Sequence, residues 1–129
     1  PYIIGLEPKT KYSDFAQTFD NNPSTVFIYD ADGNEITDVD KFIGTSMVVK
    51  LIINDVEYDS LNIVVRGDLT GDGILNITDY NKLNTKLLRK VELTECESLA
   101  ADTNSDAIIN ITDYNKLNSY LLKKVTTLN

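Results

Sequence analysis

Apolar positions recur along this chain in two different patterns, and the switch between them divides it. In the second half, Tyr80, Leu83, Leu87 and Leu88 fall at i, i+3, i+7 and i+8, and Tyr114, Leu117, Leu121 and Leu122 repeat the stripe. That spacing lines one face of an α-helix and predicts helices over about Ile77–Lys90 and about Ile111–Lys124. Arg89-Lys90 and Lys123-Lys124 stand in the expected last turns, where cations suit the helix dipole. Between them Leu93–Ala101 reads as a third, short helix, with Thr94 as cap and Glu97 completing a capping box. The first half instead carries short runs of β-branched and aromatic residues, which predict strands at Tyr2–Ile4, Thr25–Tyr29, Glu35–Thr37, Ser46–Ile53 and Glu57–Val65. The last of these is expected to alternate, with its inward positions at Tyr58, Leu61, Ile63 and Val65. Turns are expected at Asp30–Glu35, with Gly33 at positive φ, and at Asn54-Asp55. One helix is expected over Lys11–Phe19, where Tyr12, Phe15, Ala16 and Phe19 share a face, Thr10 or Ser13 can cap, and Asn21-Asn22-Pro23 stops the run.

Residues 1–66 therefore read as a small β-rich, sandwich-like module with one short helix, and residues 67–129 as an all-α module with three helices. Val64-Val65-Arg66 runs into Gly67-Asp68 with almost no linker, which favours a fixed orientation of the halves. The first half is small for an independent core, so packing against the second is expected.

The second half is one stretch written twice. Asp68–Asp79 recurs as Asp102–Asp113, and Ile77–Asn84 recurs letter for letter as Ile111–Asn118. Over Asp68–Val91 against Asp102–Val125, 16 of 24 positions are identical, and Thr85/Ser119 and Arg89/Lys123 are conservative. Each copy opens with a 12-residue loop whose oxygen donors fall at positions 1, 3, 5, 7, 9 and 12, the pattern of an EF-hand calcium loop. The first set is Asp68, Thr70, Asp72, the Ile74 carbonyl, Asn76 and Asp79; the second is Asp102, Asn104, Asp106, the Ile108 carbonyl, Asn110 and Asp113. Asn76 is suited to act through water, and the apolar side chain that follows the turn, Ile74 or Ile108, is expected to be buried. Gly73 stands at the sharp-turn position, where the second copy has Ala107. Thr70 brings a neutral hydroxyl, so two calcium ions bound with unequal affinity are expected. A strand, not a helix, precedes Asp68, and position 12 is Asp where sensor loops use Glu.

Composition narrows the remaining chemistry. Net charge is −8, with −6 in residues 1–66 and −2 in residues 67–129, where two calcium ions would bring the balance to +2. An acidic chain without a basic patch argues against nucleic acid, and no apolar run is long enough for membrane insertion. There is no histidine and one cysteine, Cys96, which excludes a Cys/His zinc site, an internal disulfide and Ser-His or Cys-His catalysis. Cys96 is expected packed or half-exposed and unreactive, since no activating base stands near it in sequence. The segment from Asp30 fails as a third loop, because Glu35 takes the turn position and Lys41 the last. Asp30, Asp38, Asp40, Asp55, Glu57 and Asp59 read as solvated turn and strand-end acids, so no enzymatic carboxylate pair is expected. Lacking an initiator Met and a signal peptide, the chain reads as a fragment of something larger.

Two copies of D-x-[N/T]-x-D-[G/A]-x-x-N-x-x-D, each leading into a helix, make Gly67–Val125 resemble a dockerin. The resemblance implies a three-helix, calcium-dependent module, monomeric when free, that docks onto a cohesin of a bacterial scaffold protein. It implies a secreted parent anchored in a cellulosome-type complex for polysaccharide degradation, at the surface of an anaerobic bacterium. Residues 1–66 are similar to the small β-rich modules that precede dockerins. Carried over by position, the partner-binding residues are Ile77, Thr78, Asn84, Thr85 and Arg89 in one copy and Ile111, Thr112, Asn118, Ser119 and Lys123 in the other. The family's common Ser-Thr pair is Ile-Thr here in both copies, which implies a more apolar contact; core packing of Ile77 and Ile111 is the competing reading. Near two-fold symmetry implies docking in two orientations. The alternative from another class is a stand-alone calcium-binding structural module without a cohesin partner.

Overall fold

The computed structural model describes residues 2–19 and 23–128. Its first half is built on one sheet. Strands β1 (Tyr2–Ile4), β2 (Val26–Tyr29), β3 (Val48–Ile53) and β4 (Val56–Val64) lie in the order β1-β4-β3-β2. β3 and β4 form a hairpin whose turn, Asn54-Asp55, takes positive φ at both residues, 51° and 63°. Two left-handed residues give the turn that matches strand twist, and Asn and Asp tolerate that conformation best after glycine. β1 joins β4 in parallel, Tyr2 opposite Asn62, so the sheet is mixed.

Three expectations are corrected here. The module is not sandwich-like, because among the described residues there is one sheet, and its apolar face is closed by helix and loop side chains. Phe15, Ile36, Ile43, Met47 and Val65 pack there against Val26, Ile28, Val49 and Ile63. The expected strand Glu35–Thr37 reduces to one bridge, Glu35 to Tyr29, with Ile36 N donating to Ile28 O at 2.8 Å. Tyr58 is exposed rather than inward, because the ladder steps from Leu51–Asp59 to Ile52–Glu57 and leaves Tyr58 as the extra residue of a β-bulge.

Helix α1 (Tyr12–Ala16) is shorter than the apolar pattern suggests, and no side chain caps it. Thr10 Oγ1 donates instead to Glu7 O. The free N–H groups of Tyr12 and Ser13 donate to Lys41 O and Val39 O, so a neighbouring loop takes the place of a cap. Phe19 stands edge-on to Phe15 at 5.2 Å. Of the expected stop signal, Asn21 and Asn22 lie outside the described residues.

The second half holds helices α2 (Ile77–Leu87), α3 (Glu95–Ala101) and α4 (Ile111–Leu121). The capping box of Thr94 and Glu97 forms as the sequence predicts. α2 and α4 stop three residues short of the expected ends, and both stop the same way. Arg89 and Lys123 sit at φ 60° and 61°, while Lys90 N donates to Thr85 O and Lys124 N to Ser119 O. That is a Schellman ending with a basic residue in the left-handed position that glycine usually fills. The basic pairs thus lie beyond the last turns, and Leu88 and Leu122, assigned by periodicity to the apolar stripe, are each 58% exposed.

The core of this half is Leu69, Leu83, Ala101, Leu117 and Leu128. Tyr80 and Tyr114 stack with centroids 3.9 Å apart and planes 12° from parallel. Because these are equivalent residues of the two copies, an approximate two-fold axis passes between their rings. Leu75 touches this core and that of the sheet, α3 packs against β4, and Gly67 N donates to Ala100 O. The expected packing of the halves is therefore present.

Truncating Leu83 to Ala should cost about 2–5 kcal/mol, whereas Leu88→Ala should stay within about 0.5 kcal/mol. Urea unfolding in calcium distinguishes this from the periodicity-based assignment, which would make the two losses comparable.

Candidate functional site

Each loop gathers three carboxylates. Oxygens of Asp68, Asp72 and Asp79 lie within 4.8 Å of one another, and so do those of Asp102, Asp106 and Asp113. Asp68, Asp79 and Asp113 are fully buried. Among the described residues no salt bridge joins a basic side chain to any of the six. Their stabilisation comes from backbone amides. In the first loop Asp68 Oδ1 accepts from Gly71 N (2.9 Å) and Asp72 N (3.3 Å), and Oδ2 accepts from Gly73 N (2.9 Å) and Thr45 N (3.0 Å). Asp79 Oδ1 accepts from the Thr70 amide and hydroxyl, and Oδ2 from Asn76 N. In the second loop Asp102 accepts from Asp106 N and Ala107 N, and Asp113 from Asn104 N and Asn110 N.

The last loop residue also starts the helix. Asn76 Oδ1 accepts from Thr78 N while Asp79 reaches back to Asn76 N, and Asn110, Thr112 and Asp113 repeat the arrangement. A capping box explains why position 12 is Asp: its short side chain closes the loop and caps the helix together. It also directs Asn76 and Asn110 toward the helices.

Burial pushes the Asp68 carboxyl up to about 6, and the charges of Asp79 and Asp72 add to the rise, against the amides of Thr45 and Gly73. Asp79 and Asp113 are also raised, chiefly by burial. Crowded, buried carboxylates without basic partners are costly unless a cation neutralises them. An oxygen-only donor set suits a hard cation such as calcium, so the residues present fit the ion that the spacing implies. Asp30 and Asp32 join neither cluster; Asp30 Oδ1 instead accepts from Asp32 N and Asn34 N in a tight turn.

Two side chains differ from expectation. Ile108 is 59% exposed and Ile74 half-buried, and it is the next residues, Leu75 and Ile109, that pack on the core. Ala107 does take positive φ, 65°, as Gly73 does at 75°.

The positions carried over as partner-binding form twin sets on α2 and α4. Ile77 and Ile111 are 60% and 58% exposed, which answers the core-packing alternative. Thr78 and Thr112 are exposed beside them, as are Arg89 and Lys123 at the far ends. Arg89 shares a shallow groove with Asn110 and Ile111, so the end of one helix meets the start of the other. Asn84 and Asn118 are half-buried, and the hydroxyls of Thr85 and Ser119 donate to Asn81 O and Asn115 O of their own helices. Leu88 and Leu122 add an apolar pair that periodicity hid, because it counted them as core. Cys96 is half-buried, and burial chiefly raises its thiol, against the influence of Ser46. Among the described residues no helix is long and apolar enough to cross a membrane.

A duplicated carboxylate loop with an exiting helix, joined by a third helix, defines a loop-helix repeat module whose two acidic clusters are suited to a hard cation. Residues 66–122 match the dockerin type I domain family, and over that stretch the chain belongs to it. Among solved structures it is similar to a chain of a type I cohesin–dockerin complex from Clostridium thermocellum, with 33% identity, 50% of this chain and 94% of that chain covered, and a TM-score of 0.47. Two mutant forms of a Cel5 dockerin complexed with the sixth cohesin of scaffoldin B from Acetivibrio cellulolyticus are also similar. One shows 33% identity, 48% and 97% coverage and a TM-score of 0.46; the other shows 32%, 50%, 98% and 0.47. No curated protein matches the chain at a significant level.

The raised carboxyls fix a sign. In chelator the folded chain keeps protons, between the ordinary aspartate range and about 6, that the unfolded chain has released, so stability falls as pH rises through that window. Thermal scans in EDTA should therefore give a higher midpoint at about pH 5 than at about pH 7, and saturating calcium should reverse the order. Replacing Ala107 by Gly relieves left-handed strain and should raise stability by about 1 kcal/mol, measured in calcium by denaturant titration.

Proposed function

We propose that residues 67–129 form a calcium-dependent docking module that binds a cohesin and so anchors its parent protein to a scaffold. Residues 1–66 form a separate β-rich module packed against it. The observation that carries this reading is the exposed Ile-Thr twin, Ile77-Thr78 and Ile111-Thr112, presented at equivalent helix starts behind two carboxylate loops. A stand-alone calcium-binding module has no use for such apolar exposure. A dockerin docks and does not catalyse, so any catalytic activity belongs to other parts of the parent protein. The setting is an extracellular or cell-surface complex of the cellulosome type.

In this reading each loop takes one calcium ion. Asp68, Asp72 and Asp79 supply charge to the first, with the Thr70 hydroxyl and Ile74 carbonyl as neutral donors; Asp102, Asp106, Asp113, Asn104 and the Ile108 carbonyl serve the second. Asn76 and Asn110, whose Oδ1 atoms already cap the helices, act through water. When bound, calcium offsets the repulsion of the buried carboxylates and holds the loop that sets each helix start. Its role is structural, and chelation loosens the docking face. Ile77 or Ile111 supplies the apolar contact, Thr78 or Thr112 a hydroxyl beside it, and Arg89 or Lys123 a cation at the opposite end. Because either set offers the same groups, one cohesin can be engaged in two orientations half a turn apart.

Titration calorimetry against a panel of cohesins should show binding in calcium that is lost in EDTA. Thr78→Ala with Asn84→Ala should leave affinity nearly intact, as should Thr112→Ala with Asn118→Ala, while the four together abolish binding. A single-helix pair that abolishes binding by itself would refute the dual orientation.

A further inference from the structure

The two loops are alike in sequence but not in surroundings. Asp68 Oδ2 accepts one N–H from its own loop, Gly73, and a second from Thr45, 23 residues earlier in the sheet half. Its counterpart Asp102 accepts from Asp106 and Ala107, both inside the second loop. Thr45 is held for this contact. Its hydroxyl donates to Val65 O at 3.1 Å and accepts from Val65 N at 3.0 Å, and the residue is 2% exposed. A further tie runs from Lys9 N to Gly73 O at 2.8 Å.

The glycines give an independent argument. Positions 4 and 6 of the first loop are Gly71 and Gly73, at φ 83° and 75°. The second loop holds the same left-handed positions with Ser105 and Ala107, at 61° and 65°. Backbone conformation alone therefore does not require glycine there. What differs is the cover. A Cβ on Gly71 would lie 2.7 Å from Thr45 O, and one on Gly73 would lie 2.6 Å from Ile43 O and 2.9 Å from Phe42 Cβ. From the other side, a Cβ on Gly44 would collide with the Gly71 carbonyl and lie 2.7 Å from Gly73 N. Backbone meets backbone across the junction, whereas Ser105, Asp106, Ala107 and Ile108 are all exposed.

We infer that the segment Phe42–Thr45 is the outer wall of the first cation site, which is therefore composite, while the second site is complete within its own loop. Thr45 is a positioning residue: its amide fixes the carboxylate of Asp68 in the orientation the loop needs. Calcium at the first site consequently tightens the sheet half as well as the helices, and the sheet half raises calcium affinity at the first site only. This rests on calcium being the cation proposed above.

The test uses calcium alone and the full chain, with no cohesin. Hydrogen exchange on the unaltered protein should show calcium slowing the amides of Thr45 and Lys9 along with those of Gly71 and Gly73. Calcium that slows both loops while leaving Thr45 and Lys9 unchanged would overturn the inference, and calcium that slows nothing would overturn the calcium reading with it. The companion experiment moves the second loop's residues into the first, as Gly71→Ser with Gly73→Ala. If each loop is self-contained, this variant binds as before, since the second loop already carries those residues. The composite site predicts a loss of about tenfold or more in calcium affinity at one site, as suits losing a hydrogen bond to a charged group, with the other site unchanged. Protection of the β3–β4 amides reports that the sheet is still folded in the variant.

Discussion

A buried carboxylate held by backbone amides is the constraint on which this molecule turns. Asp68, Asp79 and Asp113 are fully buried, no basic side chain among the described residues forms a salt bridge with them, and each accepts N–H groups from a chain that must bend to supply them. The bend is the loop. The same Asp79 and Asp113 accept from the cap amides Asn76 N and Asn110 N, whose side chains accept in turn from Thr78 N and Thr112 N, so loop closure and helix start are one event rather than two. The amides direct the carboxylates but do not cancel their mutual repulsion. A divalent cation in each cluster would offset that repulsion, which is the structural role proposed above for calcium.

Duplication gives that half its symmetry, and single residues break it. Lys82 illustrates the point: its ammonium ion pairs with Glu97 of α3 and donates to Leu69 O of the first loop, tying three pieces together. Its counterpart in the second copy is Lys116, and among the described residues α3 is the helix that follows the first copy. Lys86 and Tyr120 also occupy matching positions and do different work, the lysine toward Glu92 and the tyrosine toward the core. The exposed surface escapes these differences. Ile77, Thr78 and Arg89 mirror Ile111, Thr112 and Lys123, all of them exposed.

Local signals were legible in the sequence to the extent that local interactions decide the outcome. The starts of α2 and α4, the capping box of α3 and the β3–β4 hairpin all rest on neighbours within a few residues, and all stand where the sequence places them. Features decided by distant chain were not legible. The parallel pairing of β1 with β4 depends on residues sixty apart, and the loop that replaces a cap on α1 comes from Val39 and Lys41. The helix ends were missed for a different reason. Arg89 and Lys123 adopt a conformation that glycine would have announced, so periodicity ran on through Leu88 and Leu122. At the first site the Gly71/Gly73 versus Ser105/Ala107 difference was visible, but only the position of Thr45 gives it meaning.

The stacked pair of Tyr80 and Tyr114 carries an implication of its own. An interface in which a residue meets its own counterpart is isologous, the kind that joins identical subunits of a dimer. Here the subunits are successive repeats on one chain, so what would be a bimolecular association has become intramolecular and independent of concentration. Each repeat serves as the other's subunit. A single loop and helix separated from its twin would present Leu83 and Tyr80 to solvent, and the surface most complementary to them is another copy of itself.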